Sequence, residues 1–156
     1  MRVFLLALAL SLSACGGGSD APDPDADAAF DAEVDAELVV PARRNAMAYD
    51  VGRIEAPAGA TVRLVMDNST TTSPAMIHNV VVLENEDAIE RVGIAAVGAE
   101  NNLPDDPAIL AATGLAGPGE RTAVVFTMPP AGEYPFICTY TGHFRLMQGT
   151  LVSTPA

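Results

Sequence analysis

The sequence predicts an all-β sandwich interrupted by a short helical insertion. Three observations carry that expectation. Short runs rich in β-branched and aromatic residues recur between Pro/Gly turns. Where such a run is half-covered, apolar and polar residues alternate with period two. One stretch, 84–119, switches to helical spacing. The 156 residues suffice for one domain and a tail.

The elements follow in order. Leu38-Val39-Val40 and residues 46–54 read as strands, and "APAGAT" (56–61) is a Pro/Gly turn. Residues 61–66 alternate as a half-buried strand does, and "DNSTTTSP" (67–74) is a polar loop. Residues 77–83 are nearly all apolar, which predicts a strand covered on both faces. Ile89, Val92 and Ala96 then fall at helical spacing, and "DPAILAATG" offers Asp106-Pro107 as the start of a second helical turn. Strands resume at 121–127, turn through "MPPAGE", and continue at 133–139 and 147–153. About seven short strands of this kind build a β-sandwich.

The chain opens differently. Met1-Arg2 is a short positive region and 3–12 is an apolar run of ten, too short to span a bilayer. Leu12-Ser13-Ala14-Cys15 resembles the bacterial lipoprotein signal, which implies that 1–14 is removed and Cys15 is lipidated. An ordinary secretory leader is the other reading; both export the protein. Between Gly16 and Glu37 stand eight Asp or Glu and no Lys or Arg. Such a segment is expected to be a disordered, self-repelling tether over 15–37, spanning on the order of 25 Å as a coil. The domain is then 38–156. It carries twelve acids against seven arginines, which rules against nucleic-acid binding and fits a soluble acidic surface; a monomer is expected.

If Cys15 carries lipid, Cys138 has no disulfide partner in an oxidising compartment, and either metal ligation or burial as a small hydrophobe accounts for it. Its neighbourhood, "CTYTGHFRLMQG" (138–149), brings His143 five residues on and Met147 four further. Alternation puts Tyr134, Phe136 and Cys138 on one inward face. Gly142 allows a tight turn that folds His143 back. The other histidine, His78, opens the strand "HNVVVL". Singly, each residue has a blander reading: a core thiol, a loop histidine, a core methionine. Together, two imidazoles, a thiolate and a thioether make the ligand set of a blue-copper centre. Zinc takes Cys and His more readily than thioether.

Cys-x4-His-x3-Met, with an upstream His-Asn and a helical insertion between, resembles azurin and the auracyanins among the cupredoxins. The likeness runs from about Leu38 to Ser153 and is strongest from Glu120 onward. It implies an eight-stranded Greek-key sandwich with one copper at its end. His78, Cys138 and His143 would be equatorial ligands and Met147 the axial one. It implies too that Asn79 ties the ligand segments together, and that the backbone N–H groups of Asn79 and Tyr140 donate to the Cys138 sulfur. Ile77 stands where azurin has a glycine whose carbonyl approaches the metal, leaving a further axial contact open. Thr141 replaces the loop proline, and the azurin disulfide pair and tryptophan are missing.

Four protein ligands leave no open position for substrate, and two histidines cannot build a second copper site. The expected function is one-electron transfer rather than catalysis, from a lipid-anchored, periplasm-facing carrier to c-type cytochromes or membrane oxidoreductases. A copper-holding or copper-delivery lipoprotein is the alternative, and a metal-free adhesive sandwich a weaker one. The family's exit ligand is the loop histidine, here His143, within an apolar patch expected to comprise Pro74, Met76, Tyr140, Phe144 and Leu146.

Overall fold

The computed structural model describes residues 24–156. The leader, Cys15 and the Gly/Ser run behind it lie outside these residues. Eight strands are present among those described: β1 (Ala36–Pro41), β2 (Arg53–Pro57), β3 (Thr61–Asp67), β4 (Val81–Leu83), β5 (Ile109–Ala112), β6 (Arg121–Thr127), β7 (Gly132–Ile137) and β8 (Gln148–Thr154). Helices α1 (Pro24–Asp31) and α2 (Ala88–Ala95) complete the set, with short 3₁₀ turns after α2 and at His143–Arg145. One sheet has the order β1-β3-β6 and the other β2-β8-β7-β4-β5. β1 runs parallel to β3 and β2 parallel to β8, and the remaining pairs are antiparallel.

The core lies between the sheets and follows the alternation of the strands. Leu38 and Val40 of β1, Val62, Leu64 and Met66 of β3, and Tyr134 and Phe136 of β7 share one cluster that continues to Cys138 and Met147. β4 is buried on both faces, as its unbroken apolar run requires. Val80 and Val82 join the main core, while Val81 and Leu83 face a second cluster with Ala88, Val92, Ile137 and Phe144. Burying each such large side chain is worth about 1.5–3 kcal/mol before chain entropy is counted.

Two aromatic rings set close approaches. Phe136 of β7 pairs with Gly149 of β8, and a Cβ at 149 would collide with its ring. Gly93 of α2 gives the same room to Phe144. The second contact seats the insertion against the loop that carries His143.

Several elements differ from expectation. The stretch 46–54 is not one strand. Residues 43–48 form a turn with Asn45 in the left-handed region (φ 54°), closed by the Arg43 N–H to Ala48 carbonyl bond, and β2 starts only at Arg53. Asn45 is held there because its side-chain oxygen accepts from the Thr72 and Ser73 N–H groups. The strand expected over 77–83 shortens to β4. His78 pairs only with Ala116, through an isolated bridge, and the Val80 N–H goes to the Thr113 hydroxyl. The second helical turn expected at Asp106-Pro107 is instead a turn leading into β5. The Asp106 carboxylate accepts from the Ala108 N–H, and the chain then pairs with β4. The unmet backbone of β4 outweighs a weak local helix preference there.

The acidic segment also departs from expectation over 24–37. α1 packs on β6, and β1 begins at Ala36. Arg63 explains why an acidic, Ala-rich stretch orders itself. Its guanidinium donates to the carbonyls of Ala29 and Ala32 and to the Glu37 carboxylate, satisfying the C-terminal end of the helix. Phe30 adds an apolar anchor beneath Arg121, 5.6 Å from ring centre to guanidinium carbon.

Gly149→Ala is expected to destabilise the domain by about 1–3 kcal/mol, the usual cost of overpacking a core. A chemical-denaturation midpoint equal to the parent's would show that the Phe136 ring moves aside freely.

Candidate metal centre

Each donor reaches the site by a different local device. β7 ends at Ile137, and Cys138 follows on the inward side, its N–H donating to the Met147 carbonyl at 3.1 Å. The chain then turns back through Gly142, whose φ of 80° suits glycine. The His143 N–H donates to the Tyr140 carbonyl at 2.9 Å, and the Met147 N–H to the His143 carbonyl at 2.9 Å. The loop therefore delivers Cys138, His143 and Met147 as one hydrogen-bonded unit. His78 comes from the opposite side, fixed by its reciprocal bonds with Ala116.

The result is a tight triangle of donor atoms. The Cys138 sulfur lies 3.9 Å from His78 Nδ1 and 3.7 Å from His143 Nδ1, and the two nitrogens are 3.2 Å apart. The point equidistant from all three is about 2.1 Å from each by that geometry, which is the length of a metal–imidazole bond. All three residues are buried, as is Met147, and no carboxylate belongs to the group. Packing two nitrogens and a sulfur so closely makes chemical sense around a cation, toward which the lone pairs converge.

Electrostatics agree. Burial, followed by the nearby His143, lowers the His78 imidazole to about 4, and burial lowers His143 as well. Both rings are neutral at pH 7 and offer lone pairs. Burial raises the Cys138 thiol to about 11, against the pull of the Asn79 and Tyr140 backbone N–H groups that donate to its sulfur. A metal must therefore displace a proton from this sulfur. The other ring nitrogen of His78, Nε2, lies outside the triangle and is buried without a hydrogen-bond partner.

Asn79 joins the two ligand segments. Its Nδ2 donates to the Thr139 hydroxyl and its Oδ1 accepts from the Thr139 N–H, both at 2.8 Å. Both residues are buried. Thr139 is thus the partner of the Asn79 side chain. Sequence reasoning missed Thr139, and also Tyr49, whose hydroxyl donates to the Asn79 carbonyl at 2.6 Å. A threonine following the cysteine was the available signal for the first. Nothing in local sequence pointed to the second.

The remaining expected site residues divide. Tyr140 sets its ring edge against His143, with centroids 5.1 Å apart. The Ile77 carbonyl accepts no hydrogen bond among the described residues. Pro74 and Leu146 are exposed and Met76 half-buried. Phe144 does not belong to a surface patch: it is 5% exposed and packs on Gly93 in the second core. It lies within the 3₁₀ turn at His143–Arg145, with the Arg145 guanidinium carbon 5.1 Å from its ring centre.

Residues 36–153 match the model of copper binding proteins of the plastocyanin/azurin family. The chain is 37% identical over 111 residues to auracyanin-A of Chloroflexus aurantiacus, covering 68% of this chain and 67% of that one. It is 35% identical over 130 residues to auracyanin-B of the same bacterium, covering 79% of this chain but only 54% of the relative's length. The solved structure of auracyanin A, a "blue" copper protein, superimposes with a TM-score of 0.69 at 32% identity, over 76% of this chain and 98% of that one.

Uptake of Cu(II) at pH 7 is expected to release about one proton per site, that of the Cys138 thiol. Calorimetry in buffers of different ionisation enthalpy measures it, and a release near zero would contradict a protonated sulfur. The metal-free chain has a second pH signature. Its imidazoles titrate below the ordinary value of about 6.5, so unfolding takes up protons as pH falls from there toward 4. The imidazole contribution to stability is complete above about 6.5 and declines below it, by up to about tenfold in the unfolding constant per pH unit for each ring. Denaturant midpoints of the metal-free chain that stay flat between pH 7 and 4 would refute this.

Proposed function

Because the chain belongs to the plastocyanin/azurin family of copper-binding proteins, we propose that it carries single electrons between redox proteins. Copper held by His78, Cys138, His143 and Met147 supplies the Cu(II)/Cu(I) couple. The observation that carries the reading is the buried triangle of one thiol and two neutral imidazoles with a buried thioether beside it. That set suits copper in both oxidation states. A single thiolate charge in a dry site favours the cuprous state, in which the centre is neutral, and the N–H bonds to the sulfur push the same way. The donor loop is braced by backbone hydrogen bonds at both ends, so the ligands need not move when an electron arrives.

Electrons leave through His143. It keeps 5% exposure, whereas His78 is wholly enclosed. The docking surface around it consists of Pro74, Met76 and Leu146, with Tyr140 beneath. Leu146 is 65% exposed, and Ile94 and Val97 of the insertion are similarly open. Because Phe144 seats α2 against the His143 loop, these apolar residues can belong to one face. A small apolar face suits encounters that must form and dissociate quickly. The partners are c-type cytochromes or membrane oxidoreductases facing the periplasm, within reach of a carrier anchored through Cys15. No helix among the described residues is long and apolar enough to cross a membrane.

Loading the chain with Cu(II) is expected to give an intense blue thiolate-to-copper absorption, abolished in Cys138→Ser. Reduced cytochrome c should bleach it within the mixing time of ordinary kinetics. Colour without exchange would favour a copper-holding protein, and no colour would remove the proposal. Leu146→Glu should keep the colour and slow exchange with cytochrome by roughly tenfold, since a charge must be desolvated in each encounter. An unchanged rate would exclude this face.

A further inference from the structure

We propose that Tyr49 is a positioning residue for the metal centre. Its hydroxyl locks the peptide that follows Asn79, and thereby holds the hydrogen bond that Asn79 gives the Cys138 sulfur. The inference rests on the copper reading above for its redox consequence, but its structural part does not.

Tyr49 comes from a segment that supplies no ligand. It follows the turn at 43–48 and is fixed by an isolated bridge to Ala42. Its ring is buried against Phe136, with centroids 5.4 Å apart, two residues before Cys138. Its hydroxyl donates to the Asn79 carbonyl at 2.6 Å. The other polar groups of Asn79 are all spent on the facing ligand segment. Its side chain makes the two bonds to Thr139, and its N–H goes to the sulfur.

The Asn79 carbonyl therefore decides what holds this residue from behind. Its peptide lies before the start of β4, so no strand neighbour grips it. Two side chains do so instead. Tyr49 takes the carbonyl, and the Thr113 hydroxyl accepts from the Val80 N–H at 3.0 Å. A peptide held by side chains in a dry core is exposed to the loss of either one, because the released group finds no water. With the hydroxyl removed, Asn79 is free to tilt, and the weakest of its bonds, that from N–H to sulfur, lengthens first. A weaker donor at sulfur lowers the reduction potential, since hydrogen bonding around this sulfur is one of the factors that set it.

Tyr49→Phe removes one oxygen and keeps the ring on Phe136. Tyr134→Phe is the control. It removes the exposed hydroxyl bond to the Pro130 carbonyl, from a half-buried ring on β7 outside the donor cluster. In the metal-free full chain, amide exchange at Asn79, Val80 and Thr139 is expected to accelerate about tenfold or more in Tyr49→Phe relative to the control. In the copper-loaded chain, the potential should fall and the blue band shift in Tyr49→Phe but not in Tyr134→Phe. Thr113→Val should reproduce the local exchange pattern from the other side of the peptide. Exchange that rises evenly over the whole domain, with potential and band unmoved, would make the hydroxyl a merely structural one and overturn the proposal. Unchanged exchange at the three amides would overturn it too, while leaving a blue parent protein and the copper reading intact. A colourless parent would remove the copper reading, and the amide pattern would still decide the lock.

Discussion

Three donor atoms within 3.9 Å of one another, inside an apolar core, are tolerable only because none is charged without metal. Everything else in the domain answers to that constraint. Protonating either imidazole would place a cation beside another ring with no carboxylate near, and ionising the thiol would leave a buried anion with only two N–H donors. Burial prevents both, at the expense of making the site a poor place for anything except a metal cation. The same burial that lowers the histidines and raises the cysteine is what a redox metal needs to keep water away.

The sandwich supplies that burial unequally. The sheet β2-β8-β7-β4-β5 carries Cys138 just after β7 and Met147 just before β8, so two donors are placed by one strand pair. His78 is different, because it stands before β4 has begun to pair. Its position depends on Ala116, on the clamp between Asn79 and Thr139, and on side chains such as Asn68, whose amide donates to the carbonyls of Met76, Ala116 and Gly117. The polar residues of this end are thus structural in the strict sense. They replace a sheet ladder where the chain must open to admit a ligand.

The periphery follows another logic. α1 and the insertion both cover surfaces, yet they are attached by unlike forces. Arg63 attaches α1 through charge-assisted bonds to the end of the helix. α2 is attached by shape, a glycine beneath the Phe144 ring, and the exposed ion pair between Arg145 and Glu90 adds little to it. Ordering of 24–37 brings the domain's folded edge nearer to the N-terminus than composition suggests. Composition sees only that this stretch is acidic and apolar-poor, whereas the arginine that captures it lies some thirty residues downstream.

How far the sequence reads into this structure depends on the range of the forces involved. Strands β1, β3, β6, β7 and β8 are legible because alternation is a local pattern that burial rewards directly. The turn at 43–48 and the strand β5 are not, since the first is held by the distant loop at Thr72 and the second by an edge of β4 waiting to be paired. The donors were legible because sulfur, imidazole and thioether at that spacing have few other uses, and Phe144 was misread because a 3₁₀ turn changes which side of a loop faces water. By itself, then, the sequence determined the ligand types, their order along the chain and the sandwich that holds them. Only the tertiary structure decided which side chains steady those ligands, because Thr139, Tyr49 and Thr113 act through one or two hydrogen bonds each, across 30 to 60 residues. Such bonds have a direction and a distance but no period, and so they leave no pattern in the order of the amino acids.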